Sequence, residues 1–161
     1  AAPSMIATAT EAELISIFSD YGEEPAARKL ATAIVQRRSQ QSIQTALQLA
    51  EIAERTLGSP STRERHPATR IFQALRIAVN RELDHVRQAL DTAFPQCLAA
   101  GGLLAVISFH SLEDRLVKEA FRRSDVWDVV TAKPVAPTPA EERVNPRSRS
   151  AKLRVARRTD S

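Results

Sequence analysis

The tetrapeptide Ser108-Phe109-His110-Ser111 lies between an apolar run, Leu103 to Ile107, and a segment opening Leu112-Glu113-Asp114-Arg115 that reads as a helix. Strand, polar tip and helix in that order place functional groups at the carboxyl edge of an open α/β sheet, where such folds hold ligands. The lone His110 has a structural reading beside that one, and His66, His85 and His110 lack the close spacing of metal ligands, so no metal is expected. Glu82 is the second residue of interest. It falls on the face that Ile71, Leu75, Val79, Val86 and Leu90 would share in a helix. A carboxylate there must be paired, neutralised or open to a polar cleft. A salt bridge to an arginine of another element and a direct substrate contact both satisfy that condition. Third, basic residues cluster: seven lie between Arg143 and Arg158 with no carboxylate among them, including Arg147, Arg149 and Lys152. A second group, Arg63, Arg65, Arg70 and Arg76, is relieved only by Glu64. Such density is the footprint of a phosphate-binding surface, although a solvated tail and ordinary helix surface would look the same.

The elements that must position these residues follow from periodicity and punctuation. Thr10 with Glu13, and Thr45 with Gln48, are capping-box pairs that start helices, the first ending at Tyr21-Gly22 and the other at Gly58. Between them Ala27, Leu30, Ala31, Ile34 and Val35 mark one face of a helix over about 24–38. His66-Pro67 predicts the start of one long helix, since no glycine or proline follows until Pro95. Leu103 to Ile107 reads as a strand buried on both faces, which implies an α/β sheet. The helix after it should be capped by Ser111, with Asp114 at the third helical position. Trp127 to Thr131 and Lys152 to Ala156 are further strands, separated by a proline-punctuated loop.

Length and composition bound the function classes. The 161 residues, 43% of them hydrophobic, suffice for one ordinary domain with a modest core. The longest apolar stretch, Cys97 to Ile107, is well short of the roughly 20 residues that span a bilayer. The first residues are neither a secretory signal nor an organelle transit peptide, so a cytoplasmic location is expected. Cys97 has no partner for a disulfide or a metal knuckle, and a buried structural role is expected for it.

Four ordered stretches carry a resemblance. They are Tyr21-Gly22-Glu23-Glu24; His66-Pro67-Ala68-Thr69-Arg70 continuing from Phe72 to Leu83; Gly101-Gly102 through Ser108-Phe109-His110-Ser111-Leu112-Glu113-Asp114-Arg115; and Asn145-Pro146-Arg147-Ser148-Arg149-Ser150-Ala151-Lys152-Leu153-Arg154. In order and spacing, from about Thr8 to Arg158, the chain resembles the ribosomal small-subunit methyltransferase H family, also called MraW. Members of that family methylate the exocyclic N4 of a cytidine in small-subunit rRNA. The resemblance implies the C-terminal portion of a class I, Rossmann-like methyltransferase domain with an inserted helical domain. On that map residues 1–61 are the helical substrate-recognition insert, 62–100 a connecting helix and turn, and 101–161 the last strands and helix of the methyltransferase domain. It also implies S-adenosylmethionine as cofactor and small-subunit rRNA, or the small ribosomal subunit, as partner, with no membrane.

The catalytic residues stay unknown at this level. In the family's reaction the enzyme must align a weakly nucleophilic aryl amine and accept its hydrogens. Asn80, Glu82, Ser108 and His110 are candidate polar walls of the substrate pocket. Arg70, Arg76, Arg147, Arg149 and Lys152 are candidate RNA contacts, and Phe109 either stacks on a base or belongs to the core. None of Gly22, Gly58, Gly101 and Gly102 makes the G-x-G turn after a strand that a donor site requires, so no cofactor-binding residue is expected in this chain. The expectation is therefore a fragment lacking the donor-binding half and inactive by itself. The alternatives are a non-catalytic rRNA-binding or interaction module and a structural remnant.

Overall fold

The computed structural model describes residues 2–58 and 67–159. Arg63, Glu64, Arg65 and His66, which carry part of the sequence-based expectation, lie outside the described residues. The chain divides into two compact units, Ala1–Glu82 and Leu83–Ser161.

The first unit is helical. Helix α1 (Ala2–Thr8) precedes α2 (Glu11–Ser16), which widens into a π-helical turn, Ile17–Tyr21. The capping boxes form as the sequence predicts. Thr10 Oγ1 accepts from the Glu13 N–H while Glu13 Oε2 accepts from the Thr10 N–H at 2.7 Å, and Thr45 and Gln48 do the same at the start of α4 (Ala46–Leu57). Two donors that would otherwise be orphaned are thereby satisfied at each helix start. Helix α3 (Ala27–Gln40) buries Leu30, Ala31 and Ile34, and α5 (Pro67–Asn80) buries Ile71, Ala74, Leu75 and Ile77. With Leu14, Phe18, Leu49 and Ala53, most of these residues make a single core. Gly22 closes the turn after α2 against α5: a Cβ there would stand 2.6 Å from the Phe18 carbonyl oxygen and 3.4 Å from Ala74 Cβ. No side chain fits that approach.

The single long helix expected from Pro67 to Pro95 is not formed. Arg81 takes a left-handed backbone, φ 52°, and divides α5 from α6 (Glu82–Gln88), which runs through a π-helical turn, Ala89–Ala93, into α7 (Phe94–Cys97). Each break resets the helical phase. Ile71 and Leu75 therefore serve the first core and Leu90 the second, while Phe72 is 37% exposed. Neither glycine nor proline marks the break. The turn at Arg81 is spanned by side chains instead, with Arg76 and Asn80 both donating to the Glu82 carboxylate.

The second unit is mixed α/β around a small antiparallel sheet of order β1-β3-β2. Its strands are β1 (Leu103–Ser108), β2 (Trp127–Val129) and β3 (Lys152–Arg158), with α8 (Ser111–Ala120) after β1 and α9 (Pro139–Val144) in the connection to β3. The β1–β3 register runs from Leu103↔Arg157 to Ser108↔Lys152. The expectation that β1 is buried on both faces fails. Leu104 and Val106 pack into the core with Leu90, Val117, Phe121 and Trp127, but Leu103 and Ile107 are 56% and 58% exposed. Their row, with Ala105 and the facing Leu153 and Val155, is an apolar sheet surface that no described element covers. Trp127 is 2% exposed, its ring centroid is 5.6 Å from that of Phe121, and its indole N–H meets no acceptor among the described residues.

Two smaller expectations also change. His110, not Ser111, caps α8: its Nδ1 accepts from the Glu113 N–H, so Glu113 rather than Asp114 holds the third helical position. Cys97 is exposed, because α7 is a single turn that packs Phe94 against the core and leaves Cys97 in solvent. No described helix is long and apolar enough to cross a membrane.

Candidate nucleic-acid interface

The end of β1 and the segment leading into β3 meet by register, since Ser108 pairs with Lys152. Asn145 to Ala151 contains a 3-10 turn, Pro146–Ser150, and it is built rather than loose. Buried Ser148 donates its hydroxyl to the Asn145 carbonyl at 2.8 Å, and the Ala151 N–H donates to the Ser148 carbonyl at 2.7 Å. Arg147 and Arg149 flank the buried serine and are both exposed, and neither makes an ion pair among the described residues. The turn therefore offers two guanidinium groups that no described residue neutralises, on a fixed backbone, which suits phosphate oxygens.

Below the turn sits a charge cluster that spacing alone could not disclose. Arg154 donates from Nε to Asp114 Oδ1 at 2.7 Å and from a terminal nitrogen to Oδ2 at 3.1 Å, and each residue is 8% exposed. Lys152 Nζ is 3.5 Å from the same carboxylate. The Arg154 hydrogen bonds hold the Asp114 carboxyl below the usual aspartate range against the opposing effect of burial, with Lys152 adding to the depression. The cluster ties the start of β3 to the first turn of α8. Its only sequence signals were an acid on the inward side of α8 and, at Arg154, a cation on the face of β3 that also carries the buried Ala156.

At the tip itself, the Phe109 N–H donates to Glu113 Oε2 at 2.9 Å. Because His110 Nδ1 accepts from the Glu113 N–H, the neutral ring carries its proton on Nε2. That atom stands 3.2 Å from Glu113 Oε1 but off the axis of a hydrogen bond, so the attraction is electrostatic. The imidazole, and after it the Phe109 N–H, hold the Glu113 carboxyl below its ordinary range although burial opposes them. Phe109 is 55% exposed and does not belong to the core.

The nine candidates divide between the units. Asn80, Glu82, Arg70 and Arg76 lie in the first, and Ser108, His110, Arg147, Arg149 and Lys152 in the second. Arg76 Nε is 2.9 Å from Glu82 Oε1, and Asn80 Nδ2 donates to the same oxygen at 3.1 Å. Arg70 is 4.0 Å from Glu24. Ser108 is 3% exposed and donates its hydroxyl to the Lys152 carbonyl at 3.5 Å. Of the five candidate RNA contacts, three are thus engaged with carboxylates, and Arg147 and Arg149 meet none among the described residues.

The glycines do not fit a methyl donor. A donor-binding turn needs glycine where a Cβ would strike the ligand. Here Gly22 and Gly102 are closely approached by their own chain, by the Phe18 and Ala99 carbonyls, while Gly58 and Gly101 have positive φ and open space.

A family model described as the MraW methylase family matches residues 1–159. The chain is 55% identical over 148 residues to the ribosomal RNA small subunit methyltransferase H of a Synechococcus strain, covering 91% of this chain and 45% of that protein. It is 51% identical over 160 residues to the Cyanothece protein of the same name, covering 99% and 53%, and 48% identical over 153 residues to that of Persephonella marina, covering 92% and 52%. The chain spans about half the length of the curated relatives it matches. With both units inside the matched region, the chain belongs to the MraW methylase family.

Proposed function

We propose that this chain is the RNA-facing part of an S-adenosylmethionine-dependent enzyme that methylates N4 of a cytidine in small-subunit rRNA, in the cytoplasm. The observation that carries the reading is the pair of exposed arginines, Arg147 and Arg149, with no ion-pair partner among the described residues, on the anchored turn beside the β1–α8 tip. The names of the relatives supply the substrate class. Residues 1–61 are the substrate-recognition insert, and the 101–161 segment of the sheet unit is the last part of a Rossmann-like domain. Its uncovered apolar face supports that assignment, because sheets of that class are covered on both faces.

The donor supplies an electrophilic methyl group, and its binding site lies outside this chain. These residues contribute alignment. Arg147 and Arg149 hold phosphate and position the strand without reading a base. Lys152 approaches the same backbone from the edge of the cluster, and Arg70 and Arg76 give the helical unit its own phosphate contacts. Asn80 and Glu82 in the helical unit, and separately His110 in the sheet unit, are polar contacts for the RNA, and Ser108 sets the pairing that places the tip.

The test is a chimera in which this chain replaces the matching segment of the Cyanothece relative. The chimera is expected to methylate small-subunit rRNA, and the 161-residue chain alone is expected not to. Replacing both Arg147 and Arg149 with alanine should weaken RNA binding and flatten its salt dependence by about 1.4 in logarithmic slope, or about 0.7 for each single-strand phosphate no longer neutralised. An unchanged affinity and slope would remove the turn from the RNA surface.

A further inference from the structure

We infer that Phe109 is a base-stacking platform, and that it and the Arg147–Arg149 turn form one binding site for a single-stranded RNA segment. This rests on the RNA-binding reading and extends it from phosphate contacts to a base contact. Three observations meet at this residue. Phe109 is 55% exposed although it directly follows a strand whose last residue, Ser108, is 3% exposed. Its backbone is fixed, because its N–H is held by Glu113 Oε2 while the Glu113 N–H is held by His110 Nδ1. It also stands one residue beyond the Ser108–Lys152 pair, where β3 is entered from the basic turn through Ala151.

An exposed aromatic on a rigid backbone offers a π-face at little entropic cost. With two exposed guanidinium groups on the adjoining strand entry that no described residue pairs, the complementary ligand is one that alternates flat rings with phosphates. Single-stranded nucleic acid has that composition, and its bases are already unpaired from a second strand. Arg147 and Arg149 have no carboxylate beside them among the described residues, so they stay available to the phosphates of such a ligand.

Stacking and phosphate contact leave different signatures, since only the second releases counterions. Binding of a fluorescein-labelled oligocytidine to the 161-residue chain is measured over a range of salt concentrations, with circular dichroism to confirm folding. Phe109→Ala and Phe109→Leu should each weaken binding about tenfold with the salt slope unchanged, whereas Phe109→Tyr stays within about twofold of the native chain. Replacing both arginines should instead lower the slope. If Phe109→Leu binds as tightly as the native chain while the double arginine variant loses its slope, the stacking proposal is overturned and the RNA reading stands. If neither change affects binding, both are overturned. If Phe109→Asp abolishes concentration-dependent self-association in sedimentation and leaves RNA affinity intact, the ring packs against a second copy and the proposal fails.

Discussion

Leu30 in α3 and Ile107 in β1 are aliphatic residues of equal size in regular elements, yet the first is fully buried and the second is 58% exposed. The contrast holds for the units they belong to. In the helical unit, apolar stripes from α2, α3, α4 and α5 meet one another, and Leu14, Phe18, Leu30, Ile34 and Ile71 are wholly withdrawn from water. In the sheet unit the described residues cover only one face, and Leu103 and Ile107 on the other stay more than half exposed. The helical unit is stabilised mainly by apolar burial, whereas the sheet unit adds a buried ion pair between α8 and β3. Similar apolar patterning thus gives different packing, depending on which neighbours a surface finds.

The largest effect expected from a single change is in the ion pair. Asp114→Ala leaves Arg154 buried without its counter-charge and should cost about 4 kcal/mol in denaturant unfolding near neutral pH. The sign with pH follows from the depressed carboxyl. Its contribution is fully present above the ordinary aspartate value of about 4 and is lost as pH falls through the lower folded-state value. The gap between the native chain and Asp114→Ala should therefore narrow on acidification, and a gap that widens would mean that the carboxylate is not stabilising. Next comes Leu30→Ala, with an expected loss of about 3 kcal/mol from transfer and cavity terms together. A loss under about 1 kcal/mol there would show a helical core that collapses around the deletion, erasing the contrast with the sheet unit. Glu82→Gln should cost at most about 1 kcal/mol by thermal melting, because the Arg76 side chain that pairs with it is 56% exposed and the exchange is screened. Ile107→Ala should change stability by less than about 0.5 kcal/mol in the 161-residue chain. A loss equal to that of Leu30→Ala would mean that the open face is covered in solution, by self-association or otherwise.

Much of this architecture was legible in the sequence, and the misses have a common cause. Thr10 and Thr45 identified their helices because a capping box is a local device, complete within four residues. The three strands were found from short apolar or alternating runs, whereas α1 has no cap or stripe long enough to declare it. Arg81 was missed because its turn is closed by Arg76 and Asn80 reaching Glu82, a side-chain arrangement with no glycine or proline to announce it. His110 displaced Ser111 as cap because an imidazole nitrogen can accept the same bond as a hydroxyl. The Asp114–Arg154 pair joins residues forty positions apart and becomes visible only once β3 lies beside β1. An apolar run such as β1 has the composition of a doubly covered strand, but no described element supplies the second cover.

Trp127 turns this division into something that can be watched. It is the only tryptophan in the chain, and it lies in the core of the sheet unit, out of reach of water and with no acceptor for its indole proton among the described residues. Its fluorescence should consequently be blue-shifted when that unit is folded, red-shifting as the unit opens. The far-ultraviolet dichroism of the same sample is dominated by helix, most of it in the other unit. Two optical signals from one unlabelled cuvette therefore weight the two halves differently, the fluorescence reporting on the sheet unit alone and the dichroism more on the helical unit. Superimposable melting curves would identify one cooperative transition, and separated curves would assign a midpoint to each half.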